Sequence, residues 1–357
     1  MGKNRSYPCT AIRENVSSLP LLPLLPLRPL LPHPWNHCQP TLTLSAIAHL
    51  TMAYRLKASE SISEGVQRIA YEQIDKALAQ LLGQTDDSPE EAVHDARKRL
   101  KKLRALLRLV RDEIGSDTYH QENTCFRDAG RLLSDVRDAQ VAIETLDDLS
   151  EHFATIISAD GFREVRQALE ARSQSISERV LDEKNAQDDA IGMIKAARER
   201  VKDWSIKSND WSTIQESVQR VYKRGDKALI VAFNQPSVEN FHDWRKRVKY
   251  LWYHLRLLKL VWSNLMAEMA SETKQLADYL GDDHDLAMLR QLLEKEPELA
   301  GDRPQLDALI GLIDRRRLQL QQSAYCLGQR IYAEKPGVFV ERIGVYWQIW
   351  RSERERS

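Results

Sequence analysis

Two stretches of this chain match without gaps at an offset of 148 residues: VHDARKRLKKLRALLRLV from Val93 and FHDWRKRVKYLWYHLRLL from Phe241. In that register His94 meets His242, Asp95 meets Asp243, Arg97-Lys98-Arg99 meets Arg245-Lys246-Arg247, Lys101 meets Lys249, and Arg108 meets Arg256. Downstream, LLSDVRDAQV (Leu132 to Val141) corresponds to YLGDDHDLAM (Tyr279 to Met288) at an offset of 147, so the match crosses the next helix and turn. A unit of about 140 residues is too long for a solenoid of small repeats, and two copies point to a pair of helical bundles related by a pseudo-two-fold axis.

Composition agrees with an all-α fold. Of 357 residues, 42% are hydrophobic and 29% charged, and only 14 are glycine. Leu, Ala, Arg, Glu and Gln dominate beyond the first fifty residues and favour helix there. The 3.6-residue pattern predicts four helices per unit, at about 60–82, 88–112, 118–150 and 161–203, then 208–234, 236–263, 265–295 and 302–330. Pro89 suits the first helical position after a Ser88 cap, and Glu91 completes a capping box. Cys9, Cys38, Cys125 and Cys326 lie far apart with no C-x-x-C pair, which suggests reduced thiols in a cytoplasm rather than a disulfide scaffold or zinc site.

Residues 1–51 read differently. Eight of the thirteen prolines precede residue 41, and Pro20 to Pro32 alternates Leu and Pro with a period near three. Proline at that spacing deletes backbone donors, so polyproline II or disorder is expected in place of a membrane span. Ala46-Ile47-Ala48 resembles a cleavage site, but a proline-free apolar run before it is missing. From Met52 the sequence turns charged and helix-forming; the favoured reading of 1–51 is a misplaced start, with a disordered extension or an export signal as alternatives. The organisation expected is therefore a leader at 1–51 and one domain at 52–350, with repeat one at 53–203 and repeat two at 208–350.

The 52 basic residues cancel the 52 acidic ones over the whole chain, so net charge names no partner. Placement does. Residues 94–111 carry eight Lys and Arg against one Asp, residues 242–259 carry six against one, and residues 52–357 as a whole are net −3. At about 100° per residue, His94, Arg97, Lys98, Lys101, Arg104 and Arg108 share an arc of about 120°. Val93, Ala96, Leu100, Leu103, Leu107 and Val110 occupy the opposite, core-facing arc. Repeat two divides in the same way, with His242, Arg245, Lys246, Lys249 and Arg256 on one face and Phe241, Trp244, Val248, Leu251, Leu255 and Leu258 on the other. Like charges at these spacings repel, so each stripe gains from a polyanion or from acidic neighbours. Arg supplies planar bidentate donors, Lys a mobile point charge, and a His near neutrality a further donor as pH falls. The competing reading pairs both stripes internally, with Asp138 and Asp285 as matched partners of Arg97 and Arg245.

The paired H-x-x-R-K-x-x-K segments, the L-S-D-V-R-D and L-G-D-D-H-D turns, Y-K-R-G-D-K-A-L from Tyr222 and K-P-G-V-F from Lys335 together resemble the CHAD family, the conserved histidine α-helical domain, over about 53–350. The resemblance implies two four-helix bundles with pseudo-two-fold symmetry around a basic central groove or pore that binds inorganic polyphosphate, in proteins associated with polyphosphate granules. Carried onto this chain, it implies contacts from His94, Arg97, Lys98, Lys101, Arg104 and Arg108, with His242, Arg245, Lys246, Lys249 and Arg256 opposite and Arg224 and Lys227 at the edge. One position departs from the duplication: Trp252 stands where repeat one has Arg104.

Other functions fit less well. Glu91-x-x-His94 and Glu239-x-x-His242 have the spacing of di-iron bundles, but each His precedes three basic residues that would repel a divalent cation. No E-x-E-x-K run, phosphate-binding glycine loop or H-E-x-x-H motif is visible, so binding without catalysis, and without a cofactor or metal, is expected. Nucleic acid is the alternative polyanion, an acidic protein another. Against nucleic acid, Trp244 falls on the core arc and only Trp252 and Tyr253 approach the stripe. A membrane partner is not expected, and the sequence leaves the oligomeric state open, a homodimer included.

Overall fold

The computed structural model describes residues 54–355 except 134, 157–160 and 183–184, so the leader lies outside the described residues. Every regular element among them is helical. Helix α1 (Ile62–Leu81) opens with a reciprocal capping box between Ser61 and Glu64 and is followed by Gly83, whose φ of 66° suits a residue without Cβ. Helix α2 (Pro89–Leu109) starts from Ser88 with the Glu91 capping box that the sequence predicts. It ends at Val110 (φ −112°, ψ 14°), and a single turn, α3 (Arg111–Ile114), continues beyond.

The helix expected at 118–150 is two, α4 (Ser116–Leu132) and α5 (Asp135–His152). That expected at 161–203 is also two, α6 (Arg163–Asp182) and α7 (Asn185–Arg200), followed by a 3-10 turn at Val201–Asp203. Then come α8 (Ser212–Asn234), α9 (Val238–Leu257), the 33-residue α10 (Ser263–Lys295) and α11 (Arg303–Ile331). A last helix, α12 (Pro336–Glu355), was not among the eight expected. Its Phe339, Val340, Ile343 and Trp347 are buried, so it is part of the core. Pro336 supplies a first-turn residue that needs no amide donor, which is how a helix starts there after Tyr332 ends the previous one.

Two apolar clusters hold these helices, and each draws on both halves of the sequence. The larger joins α1, α2, α3, α4, α7, α8, α9, α12, the first part of α10 and the last part of α11, through residues such as Leu103, Phe126, Ile194, Tyr222 and Trp244. The smaller joins α5, α6, α11 and the last part of α10, through Leu146, Val165, Leu309 and Leu289. Helix α10 thus passes from one core to the other, its Leu280 in the first and Leu286 in the second. Gly281-Asp282-Asp283-His284-Asp285 spans the crossing. Asp283 is buried there and accepts from Arg317 Nε (3.1 Å) and Gln321 Nε2 (2.8 Å).

The core arcs of α2 and α9 hold. Ala96, Leu100, Leu103, Leu107 and Val110 are buried, as are all six expected residues of α9, while Val93 is only half-buried. Past Leu103 the burial of α2 widens to include Ala105, Leu106 and Leu109, because α9 closes on that side. The contact is fixed by His254, whose Nε2–H donates to the Ala105 carbonyl at 3.0 Å between the two helices. Tyr54, ahead of α1, donates to the Lys102 carbonyl at 2.9 Å and packs edge-on against Tyr253.

Candidate functional site

A cavity of about 840 Å³ opens where the two cores meet. Helix α2 lines it with His94, Arg97, Lys101 and Arg104, and α9 with His242, Arg245, Lys246 and Lys249. Eight of the sequence-derived site residues are therefore brought to one space. Helix α6 adds Arg172, α10 adds His284 and Asp285, and Tyr250 and Tyr253 of α9 complete the polar wall. Apolar residues of α5, α6 and α10, among them Ala142, Ile176, Met288 and Leu292, form the opposite side.

Hydrogen bonds orient several of these cations. Arg97 Nη1 donates to the Leu133 carbonyl at 2.7 Å, where α4 gives way to α5, and Arg104 Nε donates to Asn123 Oδ1 at 3.2 Å. Arg172 forks onto Glu296 at 2.9 and 3.2 Å. Asp285 stands 3.9 Å from Arg245, the partner the competing reading gave it, while the side chain of Asp138 lies outside those described. At 3.9 Å the pair leaves Arg245 Nε buried without a hydrogen-bond partner. Gly281 faces the same guanidinium, which a Cβ there would touch at 3.7 Å.

Crowded positive charge and burial together depress the basic groups. Burial first, then the charges of Arg245 and Lys101, brings the Lys249 ammonium down to about 7. His242 is lowered by burial and by Lys246 and Arg245. The direction runs against the further donor that the sequence reading expected of it as pH falls. His284 is pushed down to about 3 by burial and by Arg245 and His242.

The remaining sequence-derived candidates lie elsewhere. Lys98 is half-exposed and pairs with Asp95 at 2.9 Å, outside the cavity wall. Lys246 pairs in the same way with Asp243 but still lines the wall. Arg108 donates to Asn123 Oδ1 (2.9 Å), lies 4.0 Å above the Tyr250 ring, and borders a second small cleft together with Arg224. Lys227 is exposed on α8 and lines neither space. Arg256 turns away to stack over Trp252 (5.1 Å) and Tyr54 (5.6 Å). Trp252 thus holds an arginine of its own helix rather than supplying the contact of Arg104.

Sequence reasoning placed Tyr253 near the stripe, and it lines the wall, but it missed Arg172, Tyr250 and His284 as lining residues. His284 alone carried a signal, since it sits in the L-G-D-D-H-D turn. Glu91 is engaged at the Ser88 amide, and among the described residues no group of three His, Cys, Asp or Glu is placed to hold a metal ion. Nor is any helix among them long and apolar enough to cross a membrane.

A family model described as CHAD domain matches residues 68–294, which includes both basic helices and the crossing in α10. The chain belongs to the CHAD domain family. Among solved structures, it is similar to the crystal structure of the CHAD domain from the plant Ricinus communis, at 17% identity over 76% of this chain and 90% of that chain, with a TM-score of 0.49. No curated protein matches. Within the CHAD match fall His94, His242 and every other candidate residue of the cavity wall; the K-P-G-V-F segment at Lys335 lies beyond it.

Proposed function

We propose that this protein binds inorganic polyphosphate in the cavity between α2 and α9, as a binding module that performs no reaction on it. The observation that carries this is the wall itself: Arg97, Lys101, Arg104, Arg172, Arg245, Lys246 and Lys249 face one space, with Asp285 as the one carboxylate lining it among the described residues. Although Arg172 and Lys246 are paired with Glu296 and Asp243, basic side chains crowded on one wall repel one another, and a chain of phosphates relieves that repulsion along its length. In this reading the duplicated basic helices are the two sides of one central groove in a pseudo-symmetric pair of bundles. Association with polyphosphate granules follows as the cellular role.

Nucleic acid is the second reading, and the aromatic side chains argue against it. Tyr250 already carries the Arg108 guanidinium on one face of its ring, and Tyr253 is buried, which leaves little aromatic surface on which bases could stack. The Glu91-x-x-His94 spacing needs no iron to explain it, because Glu91 serves as a helix cap.

The test is calorimetric titration of the full chain with long-chain polyphosphate at near-physiological salt, with single-stranded RNA of equal charge as competitor. Binding that RNA does not displace supports the proposal. Binding that RNA abolishes moves the function to nucleic acid, and no binding limits the family inference to fold. Replacing Arg97, Lys101, Arg245 and Lys249 together by Ala should abolish binding with helicity intact. Fluorescence co-localisation with granules tests the cellular role.

A further inference from the structure

The main cavity has two unlike walls, and a chain of phosphates uses one of them. Facing the cations of α2 and α9 are Val141 and Ala142 of α5, Ile176 of α6, and Met288, Leu289 and Leu292 of α10. Ala142 and Leu289 are buried in the smaller core, but Val141, Ile176 and Leu292 are only half-buried and Met288 is 47% exposed. Asp285, Met288 and Leu292 recur at intervals of three and four, which aligns them on one face of α10. Arg172 lies one turn before Ile176 on α6. Each apolar strip thus starts from a charged residue of the wall, Asp285 at 3.9 Å from Arg245 on α10 and Arg172 forked onto Glu296 on α6.

An inorganic polyanion has no apolar group to set against Val141, Ile176, Met288 and Leu292, so it leaves their aliphatic surface in water. Covering that surface is favourable. A molecule with an anionic end and an alkyl tail covers it while the anionic end neutralises the facing cations. The cavity volume of about 840 Å³ falls within the range of about 300–1,000 Å³ that encloses small-molecule ligands, whose sites are mostly apolar with a few placed polar groups. Met288 suits a tail in particular, because an unbranched thioether adapts to whatever packs on it. Several cations across from the tail match a dianionic phosphate better than a single carboxylate.

We infer that the cavity also binds single-chain amphiphiles with a phosphate head, the head against Arg97, Lys101, Arg245 and Lys249 and the alkyl tail along Val141, Ile176, Met288 and Leu292. This goes beyond the polyphosphate reading and shares with it only the cation wall. The ligand is a monomer taken up from water, since the apolar strip lies across the cavity from the cations rather than on an outer face of the molecule. Both ligands need the same cations, so each excludes the other.

The full chain is titrated by calorimetry, below micelle concentrations, with butyl, octyl and dodecyl phosphate, and with dodecyltrimethylammonium as the same tail on a cationic head. Three to four buried methylenes, each worth about fourfold, should make dodecyl phosphate at least about hundredfold tighter than butyl phosphate. Dodecyltrimethylammonium should not bind, and long-chain polyphosphate should displace dodecyl phosphate. Ile176→Gln/Met288→Gln, first shown by thermal melting to be folded, should flatten the alkyl series to less than about tenfold; Met288→Leu, which keeps the side chain apolar, should retain it. Equal affinity along the series, binding of the cationic amphiphile, or an unchanged series in the double Gln variant overturns the inference. Sedimentation with phosphatidic acid vesicles without binding of the soluble alkyl phosphates would assign the contact to a bilayer surface and overturns it too. Polyphosphate binding with a flat alkyl series leaves the polyphosphate reading standing alone, and a steep series without polyphosphate binding leaves this one.

Discussion

The imidazole rings of His242 and His284 lie 4.3 Å apart, tilted by 44°, on the wall of the main cavity. The Nδ1 atoms of both are buried without a hydrogen-bond partner, and Arg245 and Lys249 stand nearby. In such surroundings a proton on either ring is opposed by burial and by like charge. In the free protein the pair should therefore be neutral and act through ring N–H donors rather than as cations. Nitrogen-detected NMR of labelled histidine should show His284 uncharged down to about pH 4. Titration of that ring near its ordinary value of 6.5 would contradict its burial beside Arg245.

If the cavity binds polyphosphate as proposed, Lys249 should make that binding depend on pH. Its ammonium titrates near 7 under the influence of burial, Arg245 and Lys101, with Asp285 and Asp278 acting in the opposite sense. A polyanion favours the charged form, so binding should take up a proton near pH 7 and weaken as pH rises to about 9. Calorimetry in buffers of different ionisation enthalpy measures this uptake. Lys249→Arg, charged throughout, should remove most of it. For the empty protein the sign is opposite: the unfolded chain binds the extra proton between about 7 and 10.5, so relief of the buried charge raises stability across that window.

Among the described residues Asp285 is the acidic exception in the wall, and its contact with Arg245 is long. Asp285→Asn should strengthen polyphosphate binding by about threefold to tenfold, through removal of a repelling charge. It should cost no more than about 1 kcal/mol of stability, because the pair is partly exposed and loosely held. Equilibrium denaturation beside the titration checks both; weaker binding would mean that Asp285 positions Arg245 for the ligand.

His254 joins α9 to α2 through the Ala105 carbonyl, and burial holds it at about 4. Between about 4 and the ordinary 6.5 the unfolded chain binds a proton that the folded one refuses. Stability should accordingly decline as pH falls through that window and be unaffected by this group above it. His254→Gln keeps a donor but does not titrate, so thermal melts from pH 7 to 4 should decline less steeply than in wild type.

The two matching segments place their basic residues on one helical face because helical periodicity is local. His94, Arg97 and Lys101 fall on one arc whatever the rest of the chain does, and Ser88 with Glu91 caps their helix by short-range geometry. The same local logic failed at Leu133, where one expected helix is two. Arg97 takes the Leu133 carbonyl at that break, a bond between residues 36 apart that no window on the sequence displays. Gly225 in the Y-K-R-G-D-K-A-L stretch is similar: a Cβ there would collide with the Tyr332 hydroxyl, so the motif records a packing contact whose other half is distant.

By itself the sequence determined the all-helical class, the two basic helices, their core-facing arcs and the family, since each depends on residue type and on spacings within a few turns. Tertiary structure alone decided which cations share a space. It sent Arg256 to Trp252 and Tyr54, gave Lys98 to Asp95, brought Arg172 and His284 to the wall, and gathered Arg220 and Arg247 around Arg108. The reason is physical: a charge's neighbours and its burial are set by the helices packed across from it, and those are fixed only when the two cores close.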